Sequence, residues 1–112
     1  IERADAEFGR IDILVNNAGG VSGRAFAEQS ERSWRKHIDL NLVSMLAATS
    51  AVIPIMIRGG RGGAIINVSS VGSLNCEDRA PIVYSAAKAA VNSLTKAIAG
   101  LNGLVQQLNS KR

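Results

Sequence analysis

Two side chains spaced four residues apart could carry acid–base chemistry. Tyr84 is the only tyrosine in the sequence, and Lys88 follows it at a spacing that places both side chains on one face of a helix. An ammonium group close to a phenol stabilises the phenolate, so such a phenol can donate a proton or take one back near neutral pH. A tyrosine and a lysine with no chemical role can show the same spacing, so the pair needs support from its surroundings.

Two predicted strands end in polar clusters that give this support. The apolar runs at residues 11–15 and 64–68 are typical of buried parallel strands. In an open parallel sheet, ligands bind beyond the carboxyl ends of the strands, and each following helix begins near that edge. We therefore expect both clusters near Tyr84, with Ser70 brought beside the phenol. The clusters are Asn16-Asn17-Ala18-Gly19 and Asn67-Val68-Ser69-Ser70.

Helical patterns precede, separate and follow the two strands. Residues 2–8 form a helix tail that ends at Gly9, and residues 31–58 carry one apolar stripe at steps of three and four. Pro54 predicts that this second helix kinks or ends a turn early. A third helix follows Pro81. The order α-β-α-β-α predicts an α/β fold, part of a doubly wound parallel sheet, and two strands suggest a slice of something larger.

The composition is that of a globular domain. The chain has 112 residues, of which 46% are hydrophobic and 20% charged, and its net charge of +4 is spread among mixed signs, so we expect no nucleic-acid partner. Polar residues and Pro54 interrupt the uncharged stretch 40–57, and residues 1–7 are charged, so we expect neither a membrane span nor a signal peptide. The single cysteine, Cys76, agrees with a cytoplasmic location.

Four segments, in order and at characteristic spacing, resemble the short-chain dehydrogenase/reductase family. Each motif is weak alone, but the ordered set is specific and covers residues 1–99. The resemblance implies that these residues are the catalytic portion of a Rossmann-type domain, with the nucleotide-binding half upstream, and that residues 100–112 are a divergent or truncated tail. The segments are FGRIDILVNNAG (8–19), Trp34 with DLNL (39–42), GAIINVSS (63–70) and YSAAKAAV (84–91).

The resemblance implies a catalytic tetrad of Asn41, Ser70, Tyr84 and Lys88. Tyr84 would be the general acid in carbonyl reduction and the general base in alcohol oxidation. Lys88 would support the phenolate and bind the nicotinamide ribose, and Ser70 would hold the substrate oxygen. Asn41 would interrupt the long helix and hold a water molecule in a proton relay to Lys88. Ser69 is expected to serve the end of its strand instead.

The implied activity is that of an alcohol dehydrogenase or carbonyl reductase that uses NAD or NADP and a small-molecule substrate, with no metal. Asn17, Ala18 and Gly19 would line the cofactor and secure the sheet. The family's glycine-rich phosphate loop and the residue that separates NAD from NADP are not in the sequence. We therefore expect the 112-residue chain alone to be inactive. In the complete protein, helices 31–58 and 82–99 would form a homodimer or a homotetramer.

Two other functions remain open. The chain could be a catalytically silent module of the same fold that pairs through its helices. The tract Arg58-Gly59-Gly60-Arg61-Gly62-Gly63 resembles two RGG units of the kind that bind RNA. It lacks neighbouring aromatic residues and lies where a helix must turn into a strand, so we interpret it as a turn.

Overall fold

Two short parallel strands lie side by side, and helices precede, connect and follow them. The computed structural model describes residues 1–20, 26–70 and 82–110. This order confirms the predicted α/β class and the α-β-α-β-α sequence of elements. The elements are α1 (Glu2–Phe8), β1 (Ile13–Asn16), a 3-10 turn (Phe26–Glu28), α2 (Glu31–Ile38), a π-helical turn (Asp39–Val43), α3 (Ser44–Gly59), β2 (Ala64–Asn67) and α4 (Ile82–Ser110).

The sheet buries one face and exposes the other. β1 and β2 are parallel, with Ile13 opposite Ala64 and Asn16 opposite Asn67. Successive side chains of a strand point to opposite faces, and along β1 the burial alternates accordingly. Ile13 and Val15 are 61% and 55% exposed, whereas Asn16 is buried. A doubly wound sheet carries helices on both faces. In the part of the chain that the structure describes, helices cover only the face that includes Asn16.

The connection between the strands is one continuous helix from residue 31 to residue 59. It begins at the predicted cap, where the backbone N–H of Ser33 donates to the Ser30 hydroxyl at 3.1 Å. Its buried stripe differs from the predicted one, because Asn41 is buried at the π-helical turn and the predicted Leu42 is only half-buried. The residues that the spacing predicted to face inward are Trp34, Ile38, Leu42, Met45, Thr49 and Ile53. The core residues that α3 contributes are Met45, Thr49, Val52 and Met56.

Pro54 does not end this helix early. α3 continues through it to Gly59. A proline lacks the N–H that would bond to the carbonyl of Ser50. Because Ser50 and Pro54 are both exposed, water can bond to that carbonyl instead.

The tract at residues 58–63 forms the predicted turn. α3 ends at Gly59, and Gly60 and Gly62 have φ angles of 67° and 73°, in the left-handed region that glycine adopts most easily. β2 then begins at Ala64. The turn conformation therefore explains the glycines of this tract without RNA binding.

By length and composition alone, the helix at residues 31–59 could cross a membrane. Its most apolar window of 18 residues has a mean hydropathy of 2.0 and is 22% buried. The core helix of a soluble protein meets the same criterion, so the expectation of no membrane span stays a prediction.

α4 packs an apolar stripe against the other helices. Val83, Ala87 and Val91 are buried, and Leu94 and Ile98 are half-buried. The helix continues beyond residue 100 to Ser110, and the division into residues 1–99 and 100–112 stays a prediction. The predictions for Cys76, Pro81 and the loop 71–80 fall outside the described residues.

Candidate active site

The site is built where both strands end. The backbone N–H of Val68 donates to the carbonyl of Asn16 at 3.0 Å, which extends the ladder one residue past β2. Beyond this bond the chain leaves the sheet as segments 17–20 and 68–70. The helix stretch around Asn41 and the first turns of α4 pack against these segments, as described below. The two strand ends and the start of α4, which the sequence predicted at this edge, are therefore together, and the helix stretch around Asn41 joins them.

Asn41 joins the long helix to the segment after β1. Its side chain is fully buried. The Nδ2 donates to the carbonyls of Gly20 at 2.8 Å and His37 at 2.9 Å, and the Oδ1 accepts from the Gly20 N–H at 3.0 Å. Asn41 lies in the π-helical turn, at the place where the sequence predicted an interruption. The amide group therefore binds backbone groups of two segments, and the relay role of Asn41 stays a prediction.

Lys88 projects from α4 to the end of β2. Its side chain is almost completely buried, with 4% of the residue exposed, and its Nζ donates to the Val68 carbonyl at 3.1 Å. A lysine ammonium has three N–H donors, and this carbonyl accepts one of them. The ammonium is thus held in place while donors remain for a ligand.

Gly19 lies against both Asn41 and Lys88. A Cβ at this position would lie 2.8 Å from the Asn41 Oδ1 and 3.1 Å from the Lys88 Nζ. The position therefore has no room for a side chain unless its neighbours shift. Asn17 and Ala18, the other two predicted cofactor contacts, are exposed between β1 and Gly19.

Tyr84 lies one helical turn before Lys88 and is half-buried. The Lys88 Nζ is 5.7 Å from the centre of the tyrosine ring, within the range of a cation–π contact. Ser70 is half-buried two residues beyond Val68. The loop that would bring Ser70 beside the phenol lies outside the described residues. The structure thus brings Asn41, Gly19, Lys88 and Tyr84 together, and places Ser70 at the same edge.

A network of side-chain hydrogen bonds that the sequence did not predict lies beneath the site, buried at Asn16 and Thr49 and exposed at Thr95. The Asn16 Nδ2 donates to the Asn67 Oδ1 at 2.8 Å and to the Thr49 Oγ1 at 3.3 Å. The Asn67 Nδ2 donates to the Thr95 Oγ1 at 2.9 Å. The available signal was an asparagine at the last position of both strands, together with threonines in helices that pack on them.

Ser69 has a partner that the sequence did not predict. Its hydroxyl donates to the backbone carbonyl of Lys88 at 3.2 Å, so it connects the strand end to α4. Across residues 1–20, 26–70 and 82–100, no three His, Cys, Asp or Glu side chains are placed to hold a metal ion.

Comparisons with known proteins agree with this geometry. A family model described as short chain dehydrogenase matches residues 1–102. The 2-dehydro-3-deoxy-D-gluconate 5-dehydrogenase of Dickeya dadantii (strain 3937) is 40% identical over 99 residues, which are 88% of this chain and 39% of that protein. The chain therefore spans about two fifths of the length of this curated relative.

Solved structures match over nearly the whole chain. Carveol dehydrogenase from Mycobacterium avium in complex with NAD superposes with a TM-score of 0.83 and 36% identity, covering 91% of this chain and 37% of that one. Acetoin dehydrogenase from Enterobacter cloacae has a TM-score of 0.83 and 34% identity, covering 94% of this chain and 40% of that one. These matches confirm the Rossmann-type fold. The chain belongs to the short-chain dehydrogenase family.

Proposed function

We propose that the complete protein is an oxidoreductase that uses NAD or NADP to interconvert a carbonyl group and a secondary alcohol on a small molecule. The observation that carries this proposal is the convergence of Lys88, Asn41 and Gly19 at the carboxyl edge of the sheet, with Tyr84 beside Lys88. Ligands of open parallel sheets bind at this edge. The relatives' names, which include dehydrogenases of sugar derivatives and of carveol, support the reaction class.

The residues at this edge fit a nicotinamide dinucleotide. Segment 17–19 is exposed and ends in a glycine, so a ligand can approach its backbone closely. Lys88 offers ammonium donors, beyond the one given to Val68, to the hydroxyls of a ribose. Neither feature distinguishes NAD from NADP.

In the proposed reaction the protein moves the proton. A bound nicotinamide supplies or accepts the hydride. The Tyr84 hydroxyl donates a proton to the substrate oxygen in reduction and takes it back in oxidation. The Lys88 ammonium stabilises the phenolate by electrostatic attraction, and the Ser70 hydroxyl donates to the substrate oxygen. Asn41 holds the segment after β1 in place through Gly20.

The deciding experiment measures oxidation of NADH and NADPH by the complete protein with a panel of ketones and oxidised sugars. Tyr84→Phe removes only the hydroxyl, so we expect it to lower kcat/KM by about 10²- to 10⁴-fold while the fold is retained. The 112-residue chain alone is expected to show no turnover. Unchanged kcat/KM in Tyr84→Phe would contradict the assigned role.

The alternative is a catalytically silent module of the same family. Such a protein would pair through its helices but would not bind the nucleotide. Titration of NADH or NADPH fluorescence with the complete protein separates the two functions, because only the oxidoreductase shows saturable binding. An RNA titration at several salt concentrations tests the tract at residues 58–63, and we expect no specific affinity.

We also propose that the complete protein is a homodimer or homotetramer through helices 31–58 and 82–99, and that it is cytoplasmic. These helices expose large apolar side chains, a feature of interfaces. Leu46→Glu should lower the mass measured by light scattering without unfolding the monomer, because Leu46 is exposed there. Cell fractionation tests the location. The exposed side chains are Leu40, Val43, Leu46, Ile57 and Ile82.

A further inference from the structure

Three consecutive residues after the middle of β2 are bonded to α4. The Asn67 Nδ2 donates to the Thr95 hydroxyl oxygen, the Val68 carbonyl accepts from the Lys88 Nζ, and the Ser69 hydroxyl donates to the Lys88 carbonyl. The distances are 2.9, 3.1 and 3.2 Å, respectively. Only the second of these bonds involves a side chain of the predicted tetrad. The other two need an explanation.

The Thr95 bond has a defined direction. The Thr95 hydroxyl donates its proton to the Val91 carbonyl at 2.8 Å, so its oxygen is available to accept from Asn67. The Asn67 Oδ1 in turn accepts from Asn16. One directional chain of hydrogen bonds therefore runs from the end of β1, through the end of β2, to α4.

The two hydroxyl bonds hold α4 at two points. Ser69 binds the helix at Lys88, and Asn67 binds it two turns further along, at Thr95. The apolar contacts of α4 in this region come from Val83, Ala87 and Val91. Apolar contacts are non-directional and resist rotation or sliding of a helix less specifically than hydrogen bonds do. Two bonds separated along the axis fix both motions.

Fixing α4 matters because the Lys88 ammonium has so little room. It must reach the Val68 carbonyl while it passes Gly19, where even a methyl group would lie 3.1 Å from it. A slide of α4 by one residue would move Lys88 by about 1.5 Å, which is enough to break the bond to Val68.

We propose that Ser69 and Thr95 are positioning residues that hold the Lys88 ammonium at the Val68 carbonyl. The catalytic consequence rests on the proposed oxidoreductase function, whereas the positioning itself does not. Ser69→Ala and Thr95→Val each remove one hydroxyl with little change of volume. Ser69→Thr and Thr95→Ser keep the hydroxyl and are the matched controls.

The test measures amine labelling of each lysine in the complete protein by mass spectrometry. Lys36 and Lys96 are exposed and serve as internal references, whereas Lys88 is protected by burial. In the variant that carries both Ser69→Ala and Thr95→Val, we expect the labelling of Lys88 relative to Lys96 to rise about fivefold or more, the factor expected from one lost hydrogen bond. The hydroxyl-retaining variants should keep the original ratio.

A general loss of stability is distinguished by Val52→Ala, a core variant on α3 that removes none of these hydrogen bonds. It should leave the ratio of Lys88 to Lys96 unchanged under folding conditions. In an active complete protein, the double variant should lower kcat more than it changes KM and should shift the pH profile of kcat/KM. Ser69→Thr with Thr95→Ser should restore both.

The positioning role is overturned by an unchanged labelling ratio in the double variant, or by a ratio that rises equally in Val52→Ala. If the complete protein shows no turnover with any carbonyl substrate, the proposed function fails. The labelling ratio still decides the positioning role in that case.

Discussion

The two ends of the parallel strands use different kinds of polar interaction. At the carboxyl end, Asn16, Asn41 and Lys88 are at most 6% exposed, and each is hydrogen-bonded. At the amino end, Arg10 binds Asp12 through both carboxylate oxygens, and these two side chains are about half exposed. The hydrogen bond to Asp12 and its negative charge raise the pKa of Arg10.

This difference predicts where substitutions matter. When a buried polar group loses its hydrogen-bond partner, the folded protein is destabilised, because water cannot replace the lost bond. When an exposed ion pair loses one member, water solvates the remaining charge, and the free energy of unfolding changes little. The carboxyl end should therefore be sensitive and the amino end tolerant, although both look polar in the sequence.

Lys88→Met should have the largest effect. Methionine fills the buried space but removes the ammonium that supports the Tyr84 phenolate, so we expect kcat/KM of the complete protein to fall by about 10²-fold or more. The matched control is Lys96→Met, two turns further along α4 at an exposed position, which should keep kcat/KM within about twofold. Equal losses in both variants would show that the charge of the helix, rather than the site of Lys88, matters.

Asn41→Leu should lower stability more than any other single change at this edge. The substitution leaves the Gly20 N–H and the carbonyls of Gly20 and His37 without their side-chain partner. We expect a loss of roughly 2–4 kcal/mol in the free energy of unfolding, measured by urea denaturation of the complete protein. Ser50→Ala, at an exposed position of α3, should change it by less than about 0.5 kcal/mol.

Gly19→Ala tests the close approach at the site. The new methyl group would lie 2.8 Å from the Asn41 Oδ1, so either Asn41 or segment 17–20 must shift, at about 1–3 kcal/mol. We expect the Kd for NADH or NADPH to rise about tenfold. Gly59→Ala is the control, because a Cβ at Gly59 meets no atom within 4 Å. An unchanged Kd in Gly19→Ala would mean that the segment adapts at no cost.

The sequence predicted the elements of this site better than their connections. The strand ends, the helix order and the Tyr84–Lys88 spacing follow from local patterns of apolar and polar residues. The bond from Asn41 to Gly20 spans 21 residues, and that from Asn67 to Thr95 spans 28. Such contacts depend on how the elements pack in three dimensions, and a local sequence pattern does not predict that packing.

Pro54 and Leu42 are two positions where a local sequence pattern predicted the helix incompletely. Pro54 predicted a kink or an early end, and the helix does not end early, because an exposed position lets water bind the carbonyl that proline leaves without a partner. Leu42 fitted the apolar stripe, but the π-helical turn places Asn41 in the interior instead. In both cases the surroundings of the helix overrode its own preference.

Arg58→Gln should have the smallest effect, and it tests the tolerant end of the comparison. Arg58 donates to Asp5 and thereby joins the end of α3 to α1, but its side chain is 60% exposed. Salt screens such a pair, and ordering the long side chain opposes the Coulomb attraction. We expect a loss below about 1 kcal/mol in the free energy of unfolding at low salt, which shrinks as salt is added, and no change in kcat/KM. A loss as large as that of Asn41→Leu would show that the amino end is as sensitive as the carboxyl end, and that exposure does not separate the two.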